Sequence, residues 1–212
     1  GETFTALGGE VIENVSYDPR SRDYSTPVKE LLNIDSSQFR VNVLRQKLNR
    51  NLINEPRLRE DADMVFMTAL PLAARQIVPQ FSFYLDSGMP VYSSSHVYTG
   101  IVNSQADSDM NGILFTDMPA LLKEENQSLS IHKKLNRSWS METSTNRRLY
   151  ALGIDAYRLI PFLGKLVLKY SSVYHGETGD LYLSTDGRIE RKLLWARFVN
   201  GEPRLLDDDP EH

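Results

Sequence analysis

Apolar and polar positions alternate most informatively in the middle of the chain. Residues 62–69, Ala62-Asp63-Met64-Val65-Phe66-Met67-Thr68-Ala69, form a mostly apolar run, the pattern of a strand covered on both faces. Residues 70–85 follow with Leu72, Ala73, Gln76, Ile77, Gln80 and Phe81 at helical spacing. Pro71 suits the first turn of that helix, and Pro79 should kink it. Asp86-Ser87-Gly88 stops the helix, and residues 89–94 make a second short strand. Strand, helix and strand in this length predict a βαβ crossover and hence a parallel sheet. Residues 112–117, ended by Met118-Pro119, supply a third strand.

The flanks carry weaker patterns. Residues 10–17, after Gly8-Gly9, read as a strand with imperfect alternation, ended by Asp18-Pro19. Ser25 or Thr26 can cap a helix with Pro27 at its first position and an apolar face of Val28, Leu31 and Leu32. A second helix is expected over residues 36–52, with Val41, Leu44 and Leu48 at spacings of three and four. Residues 99–109 are polar, and a short helix is expected over residues 120–131. Thr143 or Thr145 can cap a long helix running through Leu149, Leu152, Ala156, Leu159 and Leu163, with a bend at Pro161. Near the end, residues 181–185 and 188–193 flank Asp186-Gly187, a strong hairpin signal, and residues 195–199 are expected to continue that strand. The order predicts an α/β fold, a parallel sheet with helices on both faces.

Composition narrows this only in part. Of 212 residues, 41% are hydrophobic and 25% charged, enough for one globular domain or two lobes on one chain. A formal net charge of -4 gives no long-range attraction for a phosphate backbone, so nucleic acid is not an expected partner. The absence of cysteine removes disulfides, thiolate metal sites and cysteine nucleophiles. Nothing approaches the roughly 20 apolar residues of a membrane span. The first residues lack a charged n-region and an apolar h-region and read as the tail of a helix closed by Gly8-Gly9. The chain is therefore expected to be cut from something longer, with any targeting signal or lipid anchor upstream.

The candidate chemistry is sparse. No phosphate loop or Gly-x-Gly-x-x-Gly motif occurs, so no cofactor is expected. His96, His132, His175 and His212 are far apart and lack metal-ligand spacing, so no metal is expected either. Ser93-Ser94-Ser95-His96, with Asp107 and Asp109 nearby, invites comparison with a hydrolase. It lacks a nucleophile elbow, however, and adjacent residues on an extended chain point in opposite directions. Ligands of doubly wound sheets bind outside the carboxyl ends of the strands. Ser93, Ser94, Ser95 and Asp117 fall at such ends and are the candidates for a ligand cleft or a lobe–lobe contact. Arg40, Arg45, Lys47, Arg50, Arg57 and Arg59 make the second helix region basic. That is either a solvated face paired with Glu55, Glu60 and Asp61 or a docking surface, with Arg40, Arg45 and Arg50 as the docking candidates.

Five stretches together carry a resemblance. They are Arg59-Glu60-Asp61-Ala62-Asp63-Met64-Val65-Phe66 with Ala69-Leu70-Pro71 and Ala74-Arg75; residues 79–84 and 90–100; residues 109–119; residues 148–157; and residues 176–181 with Gly187-Arg188-Ile189 and Trp195. In this order they resemble the LpoA penicillin-binding protein activators. The resemblance implies an outer-membrane lipoprotein on the periplasmic side, a non-enzymatic activator of a class A penicillin-binding protein that cross-links peptidoglycan. It also implies a fold similar to the type I periplasmic binding proteins, with two lobes joined by crossing strands. On that plan residues 9–111 belong to the second lobe, 112–170 return to the first, 176–199 form a terminal hairpin and 205–212 a tail, while most of the first lobe is absent. The alternative function is a periplasmic solute-binding or sensing domain for a small amino-acid-like ligand. Without a first lobe, Leu149, Leu152, Ala156, Leu159 and Leu163 are expected to form an exposed apolar stripe, which self-association of the chain would cover.

Overall fold

Val65, Phe66 and Met67 alternate buried, exposed and buried, the signature of a strand with one face inside. The computed structural model describes residues 2–49, 59, 61–85, 88–123, 144–168 and 172–206. Its helices are α1 (Glu2–Ala6), α2 (Ser25–Leu31), α3 (Ile34–Leu48), α4 (Pro71–Tyr84), α5 (Ser104–Asp107), α6 (Pro119–Leu122), α7 (Ser144–Leu159) and α8 (Leu163–Leu168). Its strands are β1 (Val65–Met67), β2 (Val91–Ser93), β3 (Leu114–Asp117), β4 (Tyr174–His175), β5 (Asp180–Leu183), β6 (Ile189–Lys192), β7 (Leu194–Val199) and β8 (Glu202–Leu205).

The main sheet has the order β1-β2-β3-β7-β8. β1, β2 and β3 are parallel, with Phe66 beside Tyr92 and Tyr92 beside Leu114, so the parallel unit expected over residues 62–117 is present. β3 therefore continues the same sheet at the point where a return to the other lobe is expected. β7 then runs antiparallel to β3, and β8 antiparallel to β7.

In-register pairing sorts the side chains. Met67, Ser93, Phe115 and Ala196 share one face, and all are buried. α4 supplies Ala73, Ala74, Ile77, Val78 and Phe81 to the core cluster, and α2 supplies Val28 with neighbouring Tyr24 and Leu32. α4 runs through Pro79 from Pro71 to Tyr84; of its expected stop, Asp86 and Ser87 lie outside the described residues. Phe115 stacks on Phe198 at 4.9 Å, with Tyr98 tilted against Phe115 and edge-on to Phe198. The other face carries Phe66, 63% exposed, and Trp195, 46% exposed, with Tyr92 edge-on to Trp195. The expectation of helices on both faces thus needs one qualification: the second face is partly open among the described residues.

Several expected elements are corrected. Residues 10–17 form no strand: Val11 and Ile12 are exposed, and the segment is tied to the chain just past β1, where the Tyr17 hydroxyl donates to the Thr68 carbonyl at 2.8 Å. Its imperfect alternation leaves Tyr17 as the residue of this stretch that packs on the core cluster. α2 begins at Ser25, which puts Pro27 at its third residue; the N-cap is Tyr24, whose side chain makes no cap bond, and the Asp23 carboxylate accepts from the Ser25 amide at 2.8 Å. α3 begins at Ile34 and ends at Leu48, and Leu44 and Leu48 face outward; among its described side chains, Ile34 is the one in the core cluster. α6 stops at Leu122; residues 124–131 of its expected length lie outside the described residues. The long helix begins at Ser144, ends at Leu159 and turns through a 3-10 segment, Ile160–Phe162, at Pro161 before α8.

The last correction is topological. β5 and β6 pair as the expected hairpin, with β4 on the outer side. Residues 195–199 do not continue it. After Leu193 the chain leaves this small sheet and enters the main one as β7, because Trp195 and Ala196 find partners in Thr116 and Phe115. The small sheet packs on α7 and α8 through Leu159, Leu166 and Leu181. A buried carboxylate joins them: Asp155 Oδ1 accepts from the Glu177 amide at 2.8 Å, and Oδ2 from the Thr178 amide and hydroxyl at 2.7 and 2.6 Å. Gly176 belongs here because any Cβ would meet the Asp155 carboxylate.

Candidate functional site

β2 ends at Ser93, and the backbone passes through extended Ser94 into a 3-10 turn over Ser95–Val97. That turn lies beside the end of β3 and Asp117. Ser93 points into the sheet and donates to the Met67 carbonyl at 2.8 Å, so its hydroxyl is used structurally. Ser94 Oγ lies 3.4 Å from His96 Nδ1 near the surface, with His96 exposed. Asp107, weighed as a carboxylate for this group, is buried against Arg75, with Nη2 at 2.8 Å from Oδ1. No serine, histidine and carboxylate therefore converge among the described residues here.

What fills the strand ends is a residue to which sequence reasoning gave no role. Arg148 of α7 places Nη2 at 2.5 Å from Asp117 Oδ2, 3.1 Å from the Ser95 carbonyl and 3.2 Å from the Tyr98 carbonyl. Asp117 Oδ1 accepts from the Met118 amide at 2.8 Å. Both carboxylate oxygens are thus occupied, and Asp117 is 1% exposed. Burial pushes the Asp117 carboxyl above its ordinary value, only partly offset by the hydrogen bond and charge of Arg148. Burial also pushes the Tyr98 hydroxyl up to about 12. Arg147 adds a bond to the Gly100 carbonyl at 2.9 Å. The available signal was the Arg147-Arg148 pair at the head of a long apolar helix, where cations oppose the helix dipole and need acceptors elsewhere.

The other candidates are placed apart from this cluster. Arg40 is exposed on α3, and Arg45 reaches Asn42 on the same helix at 3.5 Å. Arg50 lies outside the described residues. A cleft of about 450 Å³ opens between residues 13–17 and β1, lined by Tyr17, Tyr24, Val28, Phe66 and Phe81 among others. Ser93, Ser94, Ser95 and Asp117 are not among its lining residues.

Comparison with known proteins sets this geometry in a family. The LppC lipoprotein family model matches residues 3–201. The chain belongs to the LppC lipoprotein family. Among LppC relatives, the penicillin-binding protein activator LpoA of Aliivibrio fischeri is 30% identical over 192 residues, covering 89% of this chain and 31% of that protein. LpoA of Vibrio antiquarius is 28% identical over 184 residues, covering 85% and 30%. The chain therefore spans about 30% of the length of these relatives. The solved LpoA C-domain of Haemophilus influenzae, described as a regulator of PBP1A, superposes with a TM-score of 0.59 at 21% identity, covering 86% of this chain and 55% of that one. A leucine-binding protein of Thermotoga maritima superposes at 0.51 with 15% identity, covering 96% and 53%. The LppC chain has the periplasmic-binding-protein-like fold that the sequence resemblance implied.

Proposed function

We propose that this chain is part of a non-enzymatic activator of a class A penicillin-binding protein, stimulating peptidoglycan synthesis and cross-linking by direct surface contact. The setting proposed is the periplasmic face of the outer membrane, in keeping with a lipoprotein family. The observation that carries the reading is the arginine at the strand ends. A solute receptor of this fold needs open hydrogen-bonding groups at the carboxyl ends of its strands. Here Arg148 takes the Asp117 carboxylate and the Ser95 and Tyr98 carbonyls for the protein's own use. The strand-end position is filled by the protein's own side chain, which favours recognition through the surface.

The test uses the purified chain and a class A penicillin-binding protein from the same organism. Binding by surface plasmon resonance, with a rise in cross-linked glycan product, is the expected result. The second reading, an amino-acid-like ligand in the cleft, is addressed by calorimetry with amino acids. Heat of binding to an amino acid, with no contact to the synthase, would overturn the proposal.

A further inference from the structure

The chain contains two Asn-Gly dipeptides, Asn111-Gly112 and Asn200-Gly201, and the fold brings them into contact. The Gly201 amide donates to Asn111 Oδ1 at 2.9 Å, a bond between residues 90 apart in sequence. The hairpin itself does not require it. In a two-residue turn the strands pair through the flanking residues, here Val199 and Glu202, and the second turn residue's amide is left without a ladder partner. At Gly201 that amide is taken up by a side chain from the segment entering β3.

That amide matters because Asn-Gly is chemically labile. Once base removes its proton, the nitrogen after an asparagine can attack Cγ of the asparagine side chain. A C–N bond forms to close a succinimide ring, and the side-chain nitrogen leaves as ammonia, regaining the lost proton. Water then opens the ring to aspartate or, by attack at the other carbonyl, to isoaspartate. Glycine has no Cβ to hinder the approach. An amide held by an acceptor and shielded from water gives up its proton only when the structure opens locally.

We propose that Asn200 is a latent deamidation site and that Asn111 is its guard. Asn200 stands exposed at the turn, whereas Gly201 is buried. The backbone of Ser104 closes over the glycine so tightly that a Cβ there would run into the Ser104 carbonyl. The attacking nitrogen is therefore both held and covered, while the residue it would attack faces water. Asn111 is protected differently. The Gly112 amide donates to the Phe198 carbonyl at 2.9 Å and the Phe198 amide to the Ile113 carbonyl at 3.1 Å, extending the ladder between β3 and β7. Freeing the Gly112 nitrogen means parting two strands, whereas freeing that of Gly201 means moving one side chain. Asn200 is thus the first of the two to react, and isoaspartate there would route the backbone through Cβ and undo the two-residue turn.

Incubation of the full chain in mildly alkaline buffer, followed by peptide mapping with mass spectrometry, tests this. Asn200 is expected to deamidate on the order of tenfold more slowly in the native protein than in the same protein in urea. Asn111→Ala should raise the native rate at Asn200 several-fold with an unchanged circular dichroism spectrum. Asn111→Asp, which keeps an acceptor oxygen, should leave that rate at the wild-type level. A native rate equal to that in urea, a rate indifferent to Asn111→Ala, or equal acceleration by both variants overturns the proposal. So does reaction at Asn111 before Asn200. If Asn111→Ala fails to fold, hydrogen exchange of the wild type decides. Protection of the Gly201 amide like that of the β7 ladder amides supports the guard, and exchange as fast as an open turn amide overturns it.

Discussion

Arg148 closes on Asp117 with Nη2 2.5 Å from Oδ2, and the same nitrogen reaches the Ser95 and Tyr98 carbonyls. The pair joins the head of α7 to the ends of β2 and β3. It holds a helix in place and occupies the position where this class of sheet receives ligands.

Removing one member of the pair should cost more than the pair itself contributes. Arg148→Ala leaves Asp117 buried and charged without its cation, and breaking a buried pair costs about 3 kcal/mol or more. Urea unfolding should show that loss. Arg148→Met with Asp117→Leu should recover part of it, because neither variant side chain leaves a charge behind.

The acid limb of the stability profile carries a second signature. Burial lifts the folded-state carboxyl of Asp117 above its ordinary 3.8, the hydrogen bond from Arg148 recovering only part. The folded protein therefore binds this proton more readily than the unfolded chain. The associated stability is fully present below about 3.8 and is lost as pH rises through the folded-state value. Measured between pH 3 and 7, the stability of the wild type relative to Asp117→Asn should fall across that window. A relative rise would place the carboxyl below its ordinary value and contradict the burial argument.

At the far edge of the sheet, Asn200 and Gly201, with φ of 52° and 73°, turn β7 into β8. This is a two-residue hairpin with both central residues left-handed. A Cβ at Gly201 would run into the Ser104 carbonyl. Gly201→Ala should therefore lower stability by about 1–3 kcal/mol, seen as a lower denaturation midpoint, whereas Gly187→Ala meets no neighbour and carries only its backbone strain.

The serines and histidine at the strand ends should do no hydrolytic work. Ser95→Ala and His96→Ala are expected to leave stimulation of the synthase unchanged. An esterase or peptidase rate abolished in both variants, with stability preserved, would count against the regulatory reading.

Arg40 and Arg45 on α3 provide a test of docking. Reversing both charges should slow association with the synthase and flatten its dependence on salt if α3 steers the encounter. An on-rate unchanged across ionic strengths would return this helix to the role of a solvated face.

How much of this was legible in the sequence depended on whether the determinant was local. The unit from Val65 to Asp117 was readable because its apolar runs and helical spacing lie in one continuous stretch. Leu149, Leu152, Ala156 and Leu163 are exposed as the missing-lobe argument expected, while Leu159 turned inward against Leu166 and Leu181. The Asn200-Gly201 turn was as visible as Asp186-Gly187, but Pro203 just beyond it argues against a strand. It is tolerated because β8 is an edge strand. The strand-end cluster was half legible. Ser93 and Asp117 sat where periodicity put them, but their partners, the Met67 carbonyl and Arg148, come from distant segments that no local pattern reveals.

The placement of β7 beside β3 also sets an order of events as the chain is made. β3 is the central strand of the sheet, yet the neighbour on its far side begins at Leu194, long after Asp117 has been synthesised. Until those last residues arrive, Leu114 to Asp117 present an unpaired strand edge open to wrong partners. A chain emerging end first, from a ribosome or across a membrane, cannot finish its sheet early. Any premature stop upstream of residue 194 would release a protein with that edge exposed, which makes such truncations likelier to clump than to work.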